Sequence, residues 1–294
     1  MPVVPSISDL GGTTWSISHL MPKGAFNPSI GYSPIDGYAM TARTANYKLN
    51  PRTGSYNVTN GEPKVRNKSH FSFLDNELSP EKWSEIKYPH EPKIYRGVED
   101  LRLISRNGSW YFTGVMLEDH TPWARMCLYK LEPNLEAEYI ETYKGEEATV
   151  PEKNWVTHGA LDSTNFDFIK NISRGIRGGT SLVQYEDGYL GVSHKTYAKK
   201  TSFYNPRTFG YVNGTIRNYT HLFSFYNKNL ELIKLSKEFT FRENAKIEFA
   251  CGLVQKDSDI YISYGVNDEE SWMASITLEK VKNLLGEAID YKTD

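Results

Sequence analysis

One unit recurs along this chain: an apolar strand, a tight turn built on Asp or Asn, and a second apolar strand that ends on a polar side chain. The clearest copies run over residues 26–43, with a turn at Asp36-Gly37, and 98–118, turning at Asn107-Gly108. Residues 177–195 turn at Asp187-Gly188, and 249–268 turn around 257–259. A weaker copy, 155–170, falls between the second and third of these. Asn-Gly and Asp-Gly between alternating apolar runs are strong hairpin signals, because both turn residues must tolerate positive φ. Five hairpins recurring at blade-length intervals predict an all-β chain folded as a five-bladed β-propeller. Such a fold brings the start of each innermost strand to one central pocket, and function is sought there.

The rest of the chain fits around that ring. Residues 1–23 read as a lead-in whose end closes it, and 50–66, with Pro51, Gly54, Gly61 and Pro63, as an excursion between the first two blades. Ser79 followed by Pro80 predicts a short helix over 79–85. Residues 143–153 form a polar lead into the third blade, and 199–218 read as a surface loop overhanging the pocket. Val281, Leu284 and Leu285 give 278–288 helical spacing, so a short C-terminal helix is expected on the ring's outside. No linker divides the chain, and residues 1–294 are expected to form one domain.

Composition excludes several classes. A net charge of −2 provides no general field for nucleic acid or an anionic membrane, and no basic stripe suits a nucleic-acid acceptor. No run approaches the roughly 18 apolar residues a bilayer span needs. Residues 1–20 lack a basic start followed by an apolar stretch, so a cytoplasmic protein is expected. Cys127 and Cys251 sit in apolar strand contexts and are expected as buried free thiols. Aromatics make up 13% of the chain, 20 of them tyrosine; most should pack in sheets, while some suit the C–H faces of sugars.

Polar residues gather where the pocket should be. Glu99-Asp100-Leu101-Arg102 opens an apolar strand, and simple alternation places Glu99 and Leu101 on one face, Asp100 and Arg102 on the other. The pattern suits either a local ion pair or a carboxylate poised beside a guanidinium for proton transfer. Arg174 and Arg177 precede Gly178-Gly179-Thr180, cations beside a backbone open to close approach, as an anion site or an ordinary strand start would have. His194-Lys195 and Asp268 end partner strands at positions equivalent to Arg43. No phosphate-binding glycine loop and no serine-nucleophile elbow occurs. Asp257-Ser258-Asp259 lies in a hairpin turn, where acids are expected for conformational reasons, so no metal and no cofactor are predicted.

In order, these motifs resemble glycoside hydrolase family 130, the five-bladed mannoside phosphorylases and β-mannosidases, and the related propeller mannosyltransferases. Glu99-Asp100-Leu101-Arg102 is similar to the family's Glu-Asp-Pro-Arg signature, with Leu101 in place of proline. Lys153-Asn154-Trp155 resembles its Lys-Asn element. Arg177-Gly178-Gly179-Thr180 with Gly188-Tyr189-Leu190 and His194 resembles its glycine-rich strand and Tyr-His-Gly stretch, Lys195 replacing the last glycine. Phe249–Leu253 and Tyr264-Gly265-Val266-Asn267-Asp268 are similar to its closing elements. The resemblance implies inverting hexosyl transfer, with a sugar donor (phosphate plus glycoside, a sugar phosphate or a nucleotide sugar) and a glycan or small-molecule acceptor.

It further implies Asp100 as the proton-transferring residue, acting through a hydroxyl of the bound sugar while phosphate attacks from the opposite face. Arg43, Glu99, Arg102, Lys153, Asn154, Glu248, Tyr264 and Asp268 become candidates for binding the sugar. Arg174, Arg177, His194 and Lys195 become candidates for the phosphoryl group. A water-using inverting hydrolase would need a second carboxylate, for which Asp268 and Glu248 are candidates. A propeller that only binds glycan is the reading from outside enzymology.

Overall fold

The computed structural model describes residues 4–50, 56–59, 65–89, 97–117, 124–143, 156–158, 167–169, 175–205, 210–243, 247–286 and 289–290. Among these the chain is all-β, apart from one 3-10 turn, Ser18–Leu20, and one α-helix, Leu278–Gly286, near its end. The strands form a propeller of antiparallel sheets.

From the axis outward, the first sheet is Ala25–Ser33, Gly37–Ala45, Asn67–Phe73 and Ser84–Glu85. The second is Glu99–Arg106, Ser109–Leu117, Ala124–Leu131 and Ala137–Tyr143. In the third, Ile176–Gly178 and Val183–Tyr185 both pair with Gly188–Asn205, followed by Gly210–Tyr226, Leu232–Leu235 and Ile289–Asp290. The fourth is Glu248–Lys256, Asp259–Val266 and Glu270–Thr277, and its outer edge is completed by Thr13–Ser16 from the other end of the chain. That last pairing closes the ring, as the lead-in segment was expected to do.

Four full sheets stand where five were expected. The fifth unit, 155–170, contributes only a two-stranded hairpin among the described residues, Val156–His158 paired with Asp167–Ile169. Two other expectations fail for identifiable reasons. Residues 79–85 are extended, because Ser84–Glu85 adds to the sheet edge offered by His70 and Phe71; that ladder overrides the Ser-Pro helix start. Of residues 199–218, read as a loop, 199–205 and 210–218 are paired strand, in register with one another and continuous from Tyr189↔Tyr226 to Asn205↔Gly210.

The turns follow the residues that permit them. Asn107 and Gly108 take φ of 48° and 72°, as a two-residue hairpin turn demands, and Gly37 takes 78° after the loop at 34–36. The third hairpin turns one residue earlier than expected: Tyr185 pairs with Gly188, leaving Glu186-Asp187 as the loop, with Glu186 at φ 50°.

Between the sheets lies an apolar core containing Phe112, Phe223, Phe239, Ile30, Ile260 and Ile262, all fully buried. Each such side chain stabilises the fold by about 1.5–3 kcal/mol. Nearer the axis the innermost strands are joined by polar bonds. Ser29 Oγ donates to the Cys251 carbonyl (3.0 Å) and accepts from the Leu103 N–H (3.0 Å), while the Ile30 N–H donates to Ser263 Oγ (2.9 Å). Cys127 and Cys251 are free and buried. No helix among the described residues is long and apolar enough to cross a membrane.

Candidate functional site

Three innermost strands carry a register break at the same level, between Phe26 and Ser29, Glu99 and Arg102, and Ala250 and Gly252. A β-bulge leaves one residue out of the ladder and re-aims its side chain. In the first two strands the re-aimed residues are Asn27 (φ 50°) and Asp100 (φ 52°). The bulge overturns the alternation expected from sequence. Glu99 and Asp100 both line one cavity, while Leu101 and Arg102 turn into the packed interior.

That cavity has a volume of about 630 Å³. Its wall includes Asn27, Arg43, Tyr47, Glu99, Asp100 and Asp268, together with Arg177, Thr196, Arg217, Tyr219 and Phe249. The Asp100 carboxylate is gripped at one oxygen: Asn27 Nδ2 donates to Oδ1 at 2.8 Å, and Arg43 Nε approaches the same atom at 3.1 Å. Arg43 is buried beneath the Phe26 ring, 4.3 Å from its centroid, and its Nη1 donates to Asn67 Oδ1 at 2.7 Å. Asn67 Nδ2 reaches Glu99 Oε1 at 3.4 Å, and Tyr47 donates to Asp268 Oδ2 at 3.3 Å. The cavity's three carboxylates therefore surround the buried Arg43 guanidinium, Asp100 directly, Glu99 through Asn67, and Asp268 through its charge. Burial works against the Arg43 charge, but Asp100, Tyr47, Glu99 and Asp268 together hold it well above its ordinary range. Asp268 is pushed up by desolvation, against the pull of Arg43, and Asp100 adds to the upward push.

Room for this arrangement depends on Gly265. A side chain there would collide with Asn27, its Cβ lying 1.9 Å from Oδ1. Gly179 is similarly filled, its absent Cβ facing the Val192 and Ala250 carbonyls at 2.5 and 3.1 Å. Of the two readings the sequence leaves open for Gly178-Gly179, this crowding suits the ordinary strand start.

Several expected site residues stand behind the wall instead of in it. Arg102 is fully buried, donating from Nε to the Gly179 carbonyl and from Nη1 to the Asp100 carbonyl (3.3 Å). It braces the backbone on which Asp100 sits. His194 pairs across from Arg177 and is buried against Tyr219 and Phe249, ring centroids 5.3 Å from each. Lys195 points to the other face, where its Nζ binds Glu238 at 2.7 Å. Tyr264 stacks on Phe241 in the core, 4.2 Å between centroids. Lys153, Asn154 and Arg174 lie outside the described residues. Among the described residues no cluster of three or more His, Cys, Asp or Glu forms a metal site.

Glu248 is buried as well, and its oxygens accept the N–H groups of Phe241 and Arg242, both at 2.9 Å. Its Oε2 lies 4.0 Å from His221 Nδ1. Desolvation pushes the Glu248 carboxyl up to about 7, against those two N–H groups, and pushes His221 down to about 3. A raised carboxyl stabilises the fold fully below its ordinary 4.5, and that contribution is lost as pH rises through about 7. His221 has the opposite sign: its contribution is present above 6.5 and lost as pH falls through about 3. Glu248→Gln removes only the first. Thermal unfolding across pH 4.5–7 should show the variant gaining on the wild type by roughly 1–3 kcal/mol as pH rises. A pH-independent difference would contradict this account of Glu248.

Asn27, Tyr47, Arg217 and Tyr219 were not foreseen. Asn27 occupies in the first repeat the position of Asp100 in the second, so aligning the copies on their bulges would have found it. Arg217 lies in the stretch 199–218 that was read as a loop, and Tyr219 follows it on the same strand.

No family model and no curated protein matches the chain by sequence. Solved structures do match by fold. The chain is similar to a β-1,2-mannobiose phosphorylase from Listeria innocua in complex with β-1,2-mannobiose, with a TM-score of 0.60 and 13% identity, covering 90% of this chain and 92% of the other. It is also similar to two proteins from Leishmania mexicana. One is a GDP-Man-dependent mannosyltransferase (TM-score 0.56, 14% identity, 100% and 94% covered). The other is a mannose phosphorylase in complex with a phosphate ion (TM-score 0.55, 11% identity, 92% and 89% covered).

Proposed function

We propose that this protein is a carbohydrate-active enzyme that transfers a hexosyl group, mannosyl first among those to test, with inversion at the anomeric carbon. The observation that carries the reading is Asp100, a carboxylate held by Asn27 and Arg43 at the wall of a cavity that Arg177 and Arg217 also line. The fold it shares with mannoside phosphorylases and a mannosyltransferase supports it.

In this reading Asp100 moves the proton. Making a glycosidic bond from an activated donor requires a base, the part given to the Asp100 carboxylate that Asn27 and Arg43 hold in place. The acceptor hydroxyl loses its proton toward Asp100 as its oxygen bonds the anomeric carbon, and the bond from that carbon to the donor phosphate breaks on the opposite face. Phosphorolysis is the same path reversed, entered with Asp100 protonated. Glu99, Asp268 and Tyr47 bind sugar hydroxyls, and Arg177 and Arg217 bind the phosphoryl group. Lys153, Asn154 and Arg174 keep the roles their motifs imply, on the sugar and the phosphoryl group respectively. Arg43, Arg102 and His194 position the groups in front of them. A hydrolase on the same ring would instead use Asp268 as base for a water, its presence in the same cavity being the observation that favours this second reading.

A thermal-shift screen tests the proposal. A ligand that binds only the folded state at about 100 times its Kd stabilises it by about 2.7 kcal/mol. Mannose 1-phosphate or GDP-mannose should raise Tm well beyond free mannose; no shift with these, inorganic phosphate or UDP-sugars would contradict it. Hydrolysis of a mannoside in phosphate-free buffer, at the rate seen with phosphate, would select the second reading. Arg177→Ala and Arg217→Ala should each weaken the anionic donor about ten- to a hundredfold while leaving neutral sugar binding near wild type. Unchanged donor affinity in both would return these arginines to ordinary surface charge.

A further inference from the structure

The innermost strands run from one face of the ring to the other, and a second cavity opens where they end. It is lined four to seven residues further along the same strands: by Gly31 and Tyr32 after Asn27, Leu103 to Ser105 after Glu99, Ser181 to Gln184 after Arg177, and Leu253 to Lys256 after Phe249. At about 3.3 Å per residue the two cavities lie roughly 15 Å apart along the axis. Between them the strands close up. Ser29 ties the first, second and fourth sheets together, and Gly252 fits against the backbone of Ile30 with no space for a side chain. The second cavity is therefore separate from the one holding Asp100.

Its chemistry differs from the first. Tyr32 and Tyr38 form a tilted aromatic pair, ring centroids 4.9 Å apart, with Tyr32 half exposed and the Tyr38 hydroxyl donating to the Gln255 carbonyl at 3.3 Å. Gln184 and Gln255 present exposed amides at the rim. Ser105 and Ser181, each more than nine-tenths buried, line the same cavity with hydroxyls that have no hydrogen-bond partner among the described residues. Native proteins rarely leave such groups unpaired, and two at one cavity point to a ligand that supplies the partners. The charges there, Lys256 and Asp257, are of opposite sign, and the Lys256 amine already donates to the Asn76 carbonyl at 2.6 Å. The volume, about 430 Å³, falls in the range of about 300–1,000 Å³ typical of small-molecule sites.

We propose that this opposite mouth is a second binding site for an uncharged saccharide, stacked on Tyr32 and hydrogen-bonded by Gln184, Gln255 and the hydroxyls of Ser105 and Ser181. Amphipathic rings accept the C–H face of a sugar while amides and hydroxyls take its polar edge. Nothing in it depends on the chemistry proposed for the Asp100 cavity.

Hydrogen-exchange mass spectrometry with a neutral mannose tetrasaccharide tests the site. Added saccharide should protect peptides covering 29–38, 103–107, 181–185 and 253–258. The double variant Tyr32→Ala with Gln184→Ala, both exposed positions, should keep its Tm and weaken that protection at least about tenfold in apparent Kd. Protection around 98–102 and 265–268 reports the Asp100 cavity separately and should be the same in both proteins. Absence of protection at the opposite mouth at saturating saccharide, or protection that persists undiminished in the folded double variant, would overturn the proposal. Either result leaves the transferase reading to be judged on its own peptides and its own activity.

Discussion

Asp100→Asn is expected to fold, to bind sugar and to lose at least about a hundredfold in turnover, within the roughly 10²–10⁴-fold that a positioned acid–base group contributes. The substitution keeps the size of the side chain and one acceptor oxygen for Asn27 and Arg43, so the network around the guanidinium survives. What it removes is the ability to take and return a proton. Product release would be followed from whichever donor stabilises the protein. Turnover near the wild-type rate would exclude Asp100 as the proton-transferring residue. Loss of the fold instead would assign it a structural part as the partner of Arg43, since removing one member of a buried ion pair typically destabilises by about 3–5 kcal/mol.

Gly252→Ala is expected to destabilise the protein by about 3 kcal/mol or more, at the upper end of what overpacking usually does. The added Cβ would stand 2.2 Å from the Ile30 nitrogen and 2.7 Å from both the Ile30 carbonyl oxygen and Ser263 Oγ. Two of those atoms are backbone, and the Ile30 N–H is bonded to that same Ser263 hydroxyl. Neither innermost strand yields without breaking a polar bond near the axis. Urea unfolding at equilibrium measures the loss, with Gly286→Ala as reference, because a Cβ there would meet no other part of the described structure within 4 Å. A difference between the two variants below about 1 kcal/mol would mean that the strands around the axis pack less tightly than these distances require.

Much of the architecture was legible because turn chemistry is local. Asn107-Gly108 needs positive φ at both positions, and few other residue pairs supply it, so the hairpin is visible in two letters. The site was legible in its residue types but not in its geometry. Alternation sends Asp100 and Arg102 to the same face, whereas a bulge invisible in the sequence sends Glu99 and Asp100 to the cavity together and buries Arg102. Charge alone also misled. Lys195 and Glu248 look like site residues until their partners are seen, a surface carboxylate for one and two backbone N–H groups for the other. The long hairpin could have been read from its β-branched and aromatic residues, Thr201, Phe203, Tyr211, Val212, Thr215 and Ile216, which outweigh its lysines and asparagines. The 79–85 segment could not, since its pairing partner lies in a different strand.

In the proposed reaction one carboxylate moves a proton on one face of the sugar while the donor's anion leaves from the other. The measurement that reaches this most directly is proton NMR of the anomeric signals during the first turnovers, with α-mannose 1-phosphate or GDP-mannose as donor and mannose as acceptor. The predicted first product carries the β configuration, opposite to the donor. A first product that retains the α configuration, or no transfer from either donor by the folded protein, would contradict it.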